Sequence, residues 1–135
     1  MKKKDMVNKP PHYTKHPSGI ECKEIGSFFP HTIACAIKYV WRFEDKKNPV
    51  EDLEKALWYI YETLDNMPVE FLSAQLFHTN IHVSPDLFEK YFENEENKQR
   101  KEFMEFIYEA MVSHDVNVLH GCIPPIKQLI RKAKK

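Results

Sequence analysis

The sequence predicts an all-α fold, a small helical domain built on a central antiparallel helix hairpin and followed by a helical C-terminal extension. Apolar residues between positions 50 and 64 recur every three or four residues, which is the period of one face of an α-helix. Helix-starting signals precede several such runs, as in Asn48-Pro49. Only 3 of the 135 residues are Gly, so Gly-rich phosphate loops and flexible linkers are nearly excluded.

The first 17 residues are rich in proline and show little periodicity, so we expect an extended arm. Ser18, followed three residues later by Glu21, has the form of a capping box. A short helix should therefore start there and run to about Phe29, because Pro30 ends it.

A second helix is expected from about His31 to Phe43. An apolar stripe along it, formed by Ile33, Ile37 and Val40, predicts its buried face. Steps of four, three and four residues place a further set of side chains together on another face. That set consists of His31, Cys35, Lys38 and Arg42.

The third helix has the strongest start signal, with Asn48 as N-cap, Pro49 at the first helical position and Glu51 at the third. The turn before it is short and polar, so the second and third helices should form an antiparallel hairpin. We expect a regular buried seam made of Val50, Leu53, Leu57, Ile60 and Leu64. A neighbouring face carries Asp52, Lys55, Tyr59 and Glu62.

A boundary near Asp65-Asn66-Met67-Pro68 divides the chain into two predicted modules, residues 1–66 and 67–135. The second module should hold helices over about 68–77, 84–93 and 99–113, with Phe103, Phe106, Ile107 and Ala110 of the last one inside. After a turn at Gly121, Pro124-Pro125 should start a basic final helix. Residues 78–84 read as a loop or short strand; His78 and His82 have the spacing of a metal pair only if that stretch is helical, and no third ligand is evident.

Composition narrows the class of protein. No apolar run approaches the roughly 18 residues that a membrane span needs, and the leading Met-Lys-Lys-Lys lacks the apolar segment of a signal peptide. We therefore expect a cytoplasmic protein. The three cysteines show no Cys-x-x-Cys spacing and are most simply free thiols.

Charge is distributed unevenly along the chain although the net charge is zero. Residues 1–50 carry 10 Lys and Arg against 5 Asp and Glu, residues 51–110 carry 5 against 14, and residues 111–135 carry 5 against 1. Either a solvated acidic helix pair lies between basic ends, or surfaces of opposite sign meet between subunits, or the basic first third binds an anion. The acidic middle and the lack of a recognition motif argue against nucleic acid as the partner.

Cations and aromatic rings of the second and third helices suggest a site for an anionic ligand that contains a ring. Lys38 and Arg42 lie one turn apart beside Lys46 and Lys47, and such groups bind phosphate. Tyr39, Trp41, Trp58 and Tyr59 are close enough in sequence to offer a stacking surface for a base. Two structural alternatives stay open. In the first, Lys38 and Arg42 pair with acids of the adjacent helix. In the second, both tryptophans belong to the core.

Other candidates are carboxylates and the arm. Mg²⁺ usually takes one or two carboxylates together with substrate phosphates, and Asp52 and Glu21 are candidates for that role. Glu21 and Glu51 also have a structural role as capping residues. His12 and Tyr13 lie in the proline-flanked arm. Either His12 contacts a ligand, or the arm simply packs Tyr13 against the helices.

Residues 8–64 resemble a small phage-encoded family long catalogued as a domain of unknown function. Its pattern is close to Asn-x-Pro-x-His-Tyr, Gly-Ile-Glu, Ala-x-Lys-Tyr-x-x-Arg and Asp-Leu-x-Lys-Ala-x-Trp-Tyr. This chain carries the pattern as Asn8, Pro10, His12-Tyr13, Gly19-Ile20-Glu21, Ala36, Lys38-Tyr39, Arg42, Asp52-Leu53, Lys55-Ala56 and Trp58-Tyr59. It departs at the extra Pro11, and residues 67–135 lie outside the pattern.

One phage member of that family is known as an oligomeric nucleotide kinase that lacks a P-loop and transfers phosphate to a deoxynucleoside monophosphate such as dTMP or dGMP. The resemblance implies a nucleotide-binding phage or prophage protein of the host cytoplasm, a homo-oligomer with Mg²⁺-dependent kinase activity. Lys38, Arg42 and Lys55 would bind phosphates, and Asp52 or Glu21 would hold the metal or orient the acceptor. Tyr39 and Tyr59 would supply the rings of the site, and His12 and Tyr13 would close over the ligand.

Two rival functions remain. A non-catalytic protein that sequesters a nucleotide or a nucleotide-derived signal, as a phage counter-defence, would use the same cations and rings. A helical adaptor would instead bind a host protein through residues 67–135, and surplus exposed rings in that segment would support it.

Overall fold

The structure, a computed structural model, describes residues 16–45, 47–66 and 85–135. Within these ranges the regular structure is helical and contains no β-strand, which confirms the all-α prediction. The six α-helices of the described residues are α1 (Cys22–Gly26), α2 (His31–Arg42), α3 (Pro49–Asn66), α4 (Pro85–Asn94), α5 (Lys98–Ser113) and α6 (Ile123–Lys134). Two 3₁₀ helices, Phe43–Asp45 and Val116–Cys122, follow α2 and precede α6.

The central hairpin of α2 and α3 is present. The Asn48 side chain caps the start of α3 as predicted, because Asn48 Oδ1 accepts from the Glu51 backbone N–H at 3.1 Å. The Asn48 amide also donates to the Glu51 carboxylate at 3.1 Å. At the other end of the hairpin, the Thr63 hydroxyl donates to the Thr32 hydroxyl at 2.7 Å. The last turns of α3 therefore lie beside the first turn of α2, as an antiparallel pair requires.

The predicted start of α1 is wrong. The helix begins at Cys22 and has Glu21 as its N-cap residue, with the Glu24 carboxylate accepting from the Glu21 backbone N–H. Gly19 has φ +79°, in the left-handed region that ends regular helix, so the chain cannot be helical from Ser18 onward. The Ser18 hydroxyl instead accepts from the Ile20 backbone N–H at 3.0 Å and forms a local turn.

The buried face of α3 is rotated from the predicted seam. Leu53 and Ile60 are fully buried as expected, but Val50, Leu57 and Leu64 are only half-buried. The remaining buried positions are Asp52, Ala56 and Thr63. The reason is that α3 packs against α6 as well as α2, so its buried stripe is centred between two neighbours.

The C-terminal helices complete the core. The α5 prediction is confirmed to within one residue, and Phe103, Ile107 and Ala110 are buried, although Phe106 is only half-buried. The predicted turn at Gly121 is wrong, because Gly121 belongs to the 3₁₀ helix that leads into α6. One hydrophobic cluster joins residues of α1, α2 and α3 to residues of α4, α5 and α6, so the core is continuous across position 66.

Arg100 of α5 links the two parts of the chain through a buried polar network. Its guanidinium donates to the carbonyl oxygens of Val40 and Trp41 at 3.3 and 3.2 Å, at the C-terminal end of α2. It also forms ion pairs with Glu95 at 2.8 Å and with Glu44. The guanidinium thus occupies the helix end where unsatisfied carbonyls and the helix dipole favour a cation.

Glu95 is the buried anion of the network, and its side chain is 2% exposed. Burial opposes its ionisation, but the hydrogen bond to His16, the charge of Arg100 and the Tyr91 hydroxyl together lower its pKa to about 2. The His16 ring stacks on Tyr91 at 4.6 Å between centroids and lies 5.0 Å from Trp41. Residue 16 is therefore held against the C-terminal helices.

The described helices include none that is long and apolar enough to cross a membrane. The helix predicted over 68–77 and the stretch 78–84, with His78 and His82, lie outside the described residues.

Gly121→Ala should destabilise the fold, because an added Cβ would meet ring atoms of Phe106 at 2.3 Å. We expect a loss of about 1–3 kcal/mol in the free energy of unfolding, measured by urea denaturation. Gly26→Ala is the matched control, since its Cβ would meet Ala34 Cβ at an ordinary 3.8 Å. That variant should be unchanged or slightly more stable. Equal destabilisation of both variants would contradict the close contact at Gly121.

Glu95→Gln should change how stability depends on pH. A carboxyl whose folded pKa is depressed stabilises the fold above its unfolded pKa, and that stabilisation is lost as pH falls toward the folded value of about 2. We expect the variant to be about 2 kcal/mol less stable at pH 7, after allowing for solvent screening. The difference should shrink between pH 5 and pH 2. The exposed neighbour Glu96→Gln serves as control; a parallel pH profile for wild type and Glu95→Gln would show that Glu95 has no such role.

Candidate functional site

Three cations from two helices surround the ring of Tyr39. Lys38 Nζ lies 5.0 Å from the ring centroid, Arg42 Cζ lies 5.1 Å from it, and Lys55 Nζ of α3 lies 5.6 Å from it. Each distance is within the range of a cation–π interaction. The hairpin thus brings together residues that are 17 positions apart in the chain, and it does so at partly solvent-accessible positions.

The Tyr59 ring of α3 stacks on Tyr39 at 6.0 Å between centroids and 14° between planes. We call Lys38, Tyr39, Arg42, Lys55 and Tyr59 the cation–tyrosine cluster. All five are predicted site residues, and all five are half-buried or exposed rather than enclosed in the core.

The two tryptophans have different environments. Trp41 is 6% exposed and belongs to the core, as the structural alternative predicts. For Trp58 the core prediction is wrong, because its side chain is 56% exposed. It lies on the solvent-facing side of α3, and its ring meets the Tyr59 ring edge to face at 5.0 Å and 84°.

The acids of the adjacent helix do not neutralise the whole cluster. Lys55 pairs with Glu51 at 3.1 Å, and this exposed pair raises the pKa of the Lys55 ammonium. The ion pairs within the described ranges include none between Lys38 and Asp52, Glu51 or Glu62. Lys38 is thus a cation of the cluster that no acid of α3 neutralises by an ion pair within the described ranges.

Two cysteines lie beneath the cluster. Burial raises the pKa of the Cys22 thiol to about 12, although the charges of Lys38 and Arg42 act in the opposite direction. Cys35 Sγ is 3.5 Å from Nε2 of the exposed His31. Cys35, followed by burial, raises the pKa of the Tyr59 hydroxyl. Sequence reasoning placed His31 and Cys35 on the face of Lys38, and the structure adds Tyr59 to them.

Asp52 is an exception among the carboxylates of α3, because it is only 7% exposed. Its Oδ2 atom is buried and has no hydrogen-bond partner among the described residues. A buried oxygen without a partner costs about 1–3 kcal/mol, so a ligand or ion that satisfies it would recover this free energy. Lys55 lies one turn further along the same helix, and the Asp52 charge contributes to the raised pKa of Lys55.

Asp52 is the residue of this site that could serve as a ligand for Mg²⁺. An orphaned buried carboxylate oxygen is a suitable ligand, and Mg²⁺ needs only one or two carboxylates when phosphates complete its shell. Glu21 is at the start of α1 and pairs with Lys23 at 3.6 Å. Within the described ranges it makes no hydrogen bond or ion pair with the cluster, and no group of three acidic, His or Cys residues suited to a metal is found. His12, Tyr13 and Lys46 lie outside the described residues.

A separate pocket of ≈ 400 Å³ lies beside the Arg100 network, lined by residues that include His16, Trp41, Glu44, Glu95 and Arg100. Its buried charged groups already satisfy one another through the contacts described above. It therefore has less need of a ligand than the cation–tyrosine cluster, which we take as the candidate functional site.

Comparison with known proteins covers the segment that forms this site. Residues 7–61 match a family model described as a protein of unknown function (DUF3310). The matched stretch contains every residue of the cation–tyrosine cluster as well as Asp52 and Trp58, and it coincides closely with residues 8–64 of the sequence resemblance. No curated protein and no solved structure matches the chain.

Thiol labelling tests the environment of the cysteines. We expect iodoacetamide to modify Cys35 before Cys22 and Cys122 in the native protein, because Cys35 Sγ lies 3.5 Å from Nε2 of the exposed His31, whereas burial raises the pKa of the Cys22 and Cys122 thiols. Peptide mapping by mass spectrometry measures the three rates, and labelling in urea should make them similar. His31→Asn should slow the reaction of Cys35 by removing the adjacent imidazole. Labelling of Cys22 or Cys122 as fast as Cys35 would contradict this environment.

Proposed function

We propose that the cation–tyrosine cluster binds the phosphates of a nucleotide. The observation that carries the proposal is the convergence of Lys38, Arg42 and Lys55 on the ring of Tyr39. Guanidinium and ammonium groups supply fixed positive charge and directed donors, and these are the groups that bind phosphate oxygens.

Phosphoryl transfer to a deoxynucleoside monophosphate is the activity that we propose for this site, in keeping with the sequence resemblance. A phosphate oxygen of the acceptor would bond to the γ-phosphorus of ATP while the bond from that phosphorus to the bridging oxygen breaks, and ADP would leave. Lys38 and Arg42 would stabilise charge on the transferring group. Lys55 would hold the remaining phosphates.

Asp52 would hold Mg²⁺ in this proposal, through the Oδ2 atom that has no hydrogen-bond partner among the described residues. When bound, Mg²⁺ neutralises charge on the phosphates of both substrates. A P-loop is unnecessary, because phosphoryl transfer depends mainly on positioning and charge stabilisation, which side chains on two rigid helices can provide.

Sequestration of a nucleotide without catalysis would use the same cluster. Nucleotide binding without turnover would favour this function over the kinase. For the adaptor function, the rings of the C-terminal half are relevant. Among residues 85–135, no aromatic side chain is among the exposed large hydrophobics. The surplus exposed rings that would have supported a protein partner there are therefore not found in that range.

The test combines binding and turnover. The purified protein is incubated with ATP, Mg²⁺ and each deoxynucleoside monophosphate, and products are separated by anion-exchange chromatography, while calorimetry measures affinity for each nucleotide. We expect matched formation of ADP and one deoxynucleoside diphosphate. Lys38→Ala and Arg42→Ala should each weaken nucleotide affinity about 10- to 100-fold, the loss of one charge-assisted phosphate contact.

Lys90→Ala removes the same charge from the exposed face of α4 and is the matched control. Affinity that falls equally in Lys90→Ala would reflect overall charge rather than the cluster. Unchanged affinity in Lys38→Ala and Arg42→Ala would refute the proposed site. Tight binding with no product at enzyme concentrations comparable to substrate would replace the kinase by the sequestering protein. Light scattering on the same sample tests the homo-oligomer that the resemblance implies.

A further inference from the structure

Trp58 is the most exposed of the large hydrophobic side chains in the described ranges, at 56%, compared with 37% for Tyr61 and 49% for Val112. Burying such a ring would stabilise the fold, and tryptophans are highly buried on average. The core already takes in Trp41, at 6% exposure. The exposure of the Trp58 indole on a rigid helix therefore suggests that it contacts a ligand or a partner.

The position of Trp58 relative to the cation–tyrosine cluster suggests a ligand as that contact. It follows Lys55 by three residues on α3, and residues at this spacing are neighbours on a helix surface, with Cβ atoms about 5–6 Å apart. Its ring also meets Tyr59 edge to face, and Tyr59 stacks on Tyr39. The indole is thus held beside the cations by an aromatic contact while much of its own surface stays open.

We propose that Trp58 is the stacking surface for the base of the bound nucleotide, and that it makes the site selective for phosphates that carry an aromatic ring. This inference rests on the proposed function of the cluster. One end of the ligand would lie on Lys38, Arg42 and Lys55, and the ring would lie on the indole. The ligand class is a nucleoside phosphate, in preference to a sugar phosphate or inorganic phosphate.

The charges around Trp58 favour this occupant over larger ones. Glu54 and Asp65 are exposed on α3 on either side of it in sequence. Carboxylates at these positions would repel the further phosphates of an oligonucleotide. They also interrupt the apolar surface, whereas the centre of a protein interface is depleted in charged residues. A single nucleotide, with one ring and its phosphates at one end, would avoid both of these penalties.

The experiment compares two probes by calorimetry, a deoxynucleoside monophosphate and deoxyribose 5-phosphate, which has the same sugar and phosphate but no base. Wild type should bind the nucleotide more tightly. In Trp58→Leu the nucleotide should lose affinity about 5- to 100-fold, the range for one base stacked on an aromatic side chain. Affinity for deoxyribose 5-phosphate should change less than about twofold. Tyr61→Leu, which removes the other exposed ring of α3, should bind both probes like wild type.

Other results would overturn the inference. An equal loss for both probes would make Trp58 structural, and no loss for either would exclude it from the site. Conversion of an oligomer to a monomer by Trp58→Leu, seen by light scattering, would assign the indole to an interface between copies. If wild type binds neither probe, the proposed function itself fails. Intrinsic fluorescence provides an independent readout, because nucleotide should quench the emission of exposed Trp58 and leave the buried Trp41 of Trp58→Leu unchanged.

Discussion

The guanidinium of Arg100 is the interaction on which the arrangement of the described helices most depends. It is buried and donates to two carbonyls at the end of α2 and to two carboxylates from different segments. Removing one partner of a buried ion pair leaves an uncompensated charge, which costs about 3–5 kcal/mol. The C-terminal end of α2, where Lys38, Tyr39 and Arg42 lie, is therefore held in place from α5. In this way a residue outside the family match helps to position the candidate site.

Local signals in the sequence account for much of this fold. Asn48 caps α3 by accepting from the backbone N–H of Glu51, three residues later, so this contact can be inferred from spacing alone. The stripe of Ile33, Ile37 and Val40 is buried for a similar reason, since helical periodicity places these residues on one face. Ser18 shows the limit of such signals. It has the spacing of a capping box, yet the left-handed conformation of Gly19 turns the chain before a helix can start.

Long-range contacts are the part that spacing does not reveal. The rotation of the buried face of α3 depends on α6, which begins at Ile123, far along the chain from the end of α3 at Asn66. The exposure of Trp58 follows from that rotation, because Asp52, Ala56, Ile60 and Thr63 take the inner positions. No local feature of the sequence marks Arg100 as the centre of a polar network, because its four acceptors are brought together only by the fold. The cluster around Tyr39 is more predictable, since helical spacing and a single short turn are enough to assemble it.

The two groups of charges in this protein differ in their contact with solvent. Glu95 stays ionised because its pKa is about 2, the pKa of the Tyr91 hydroxyl is raised well above its usual value by burial and by Glu95, and Arg100 stays charged. Buried pairs of this kind are screened little by dissolved ions, whereas charges near the surface interact over a Debye length of about 8 Å at physiological ionic strength. The ionic atmosphere therefore acts on the cations beside Tyr39 and scarcely on the buried pair of Arg100 and Glu95, whose side chains are 10% and 2% exposed. Ionic strength can tune the attraction of an anionic ligand to this surface while the scaffold beneath it keeps its shape.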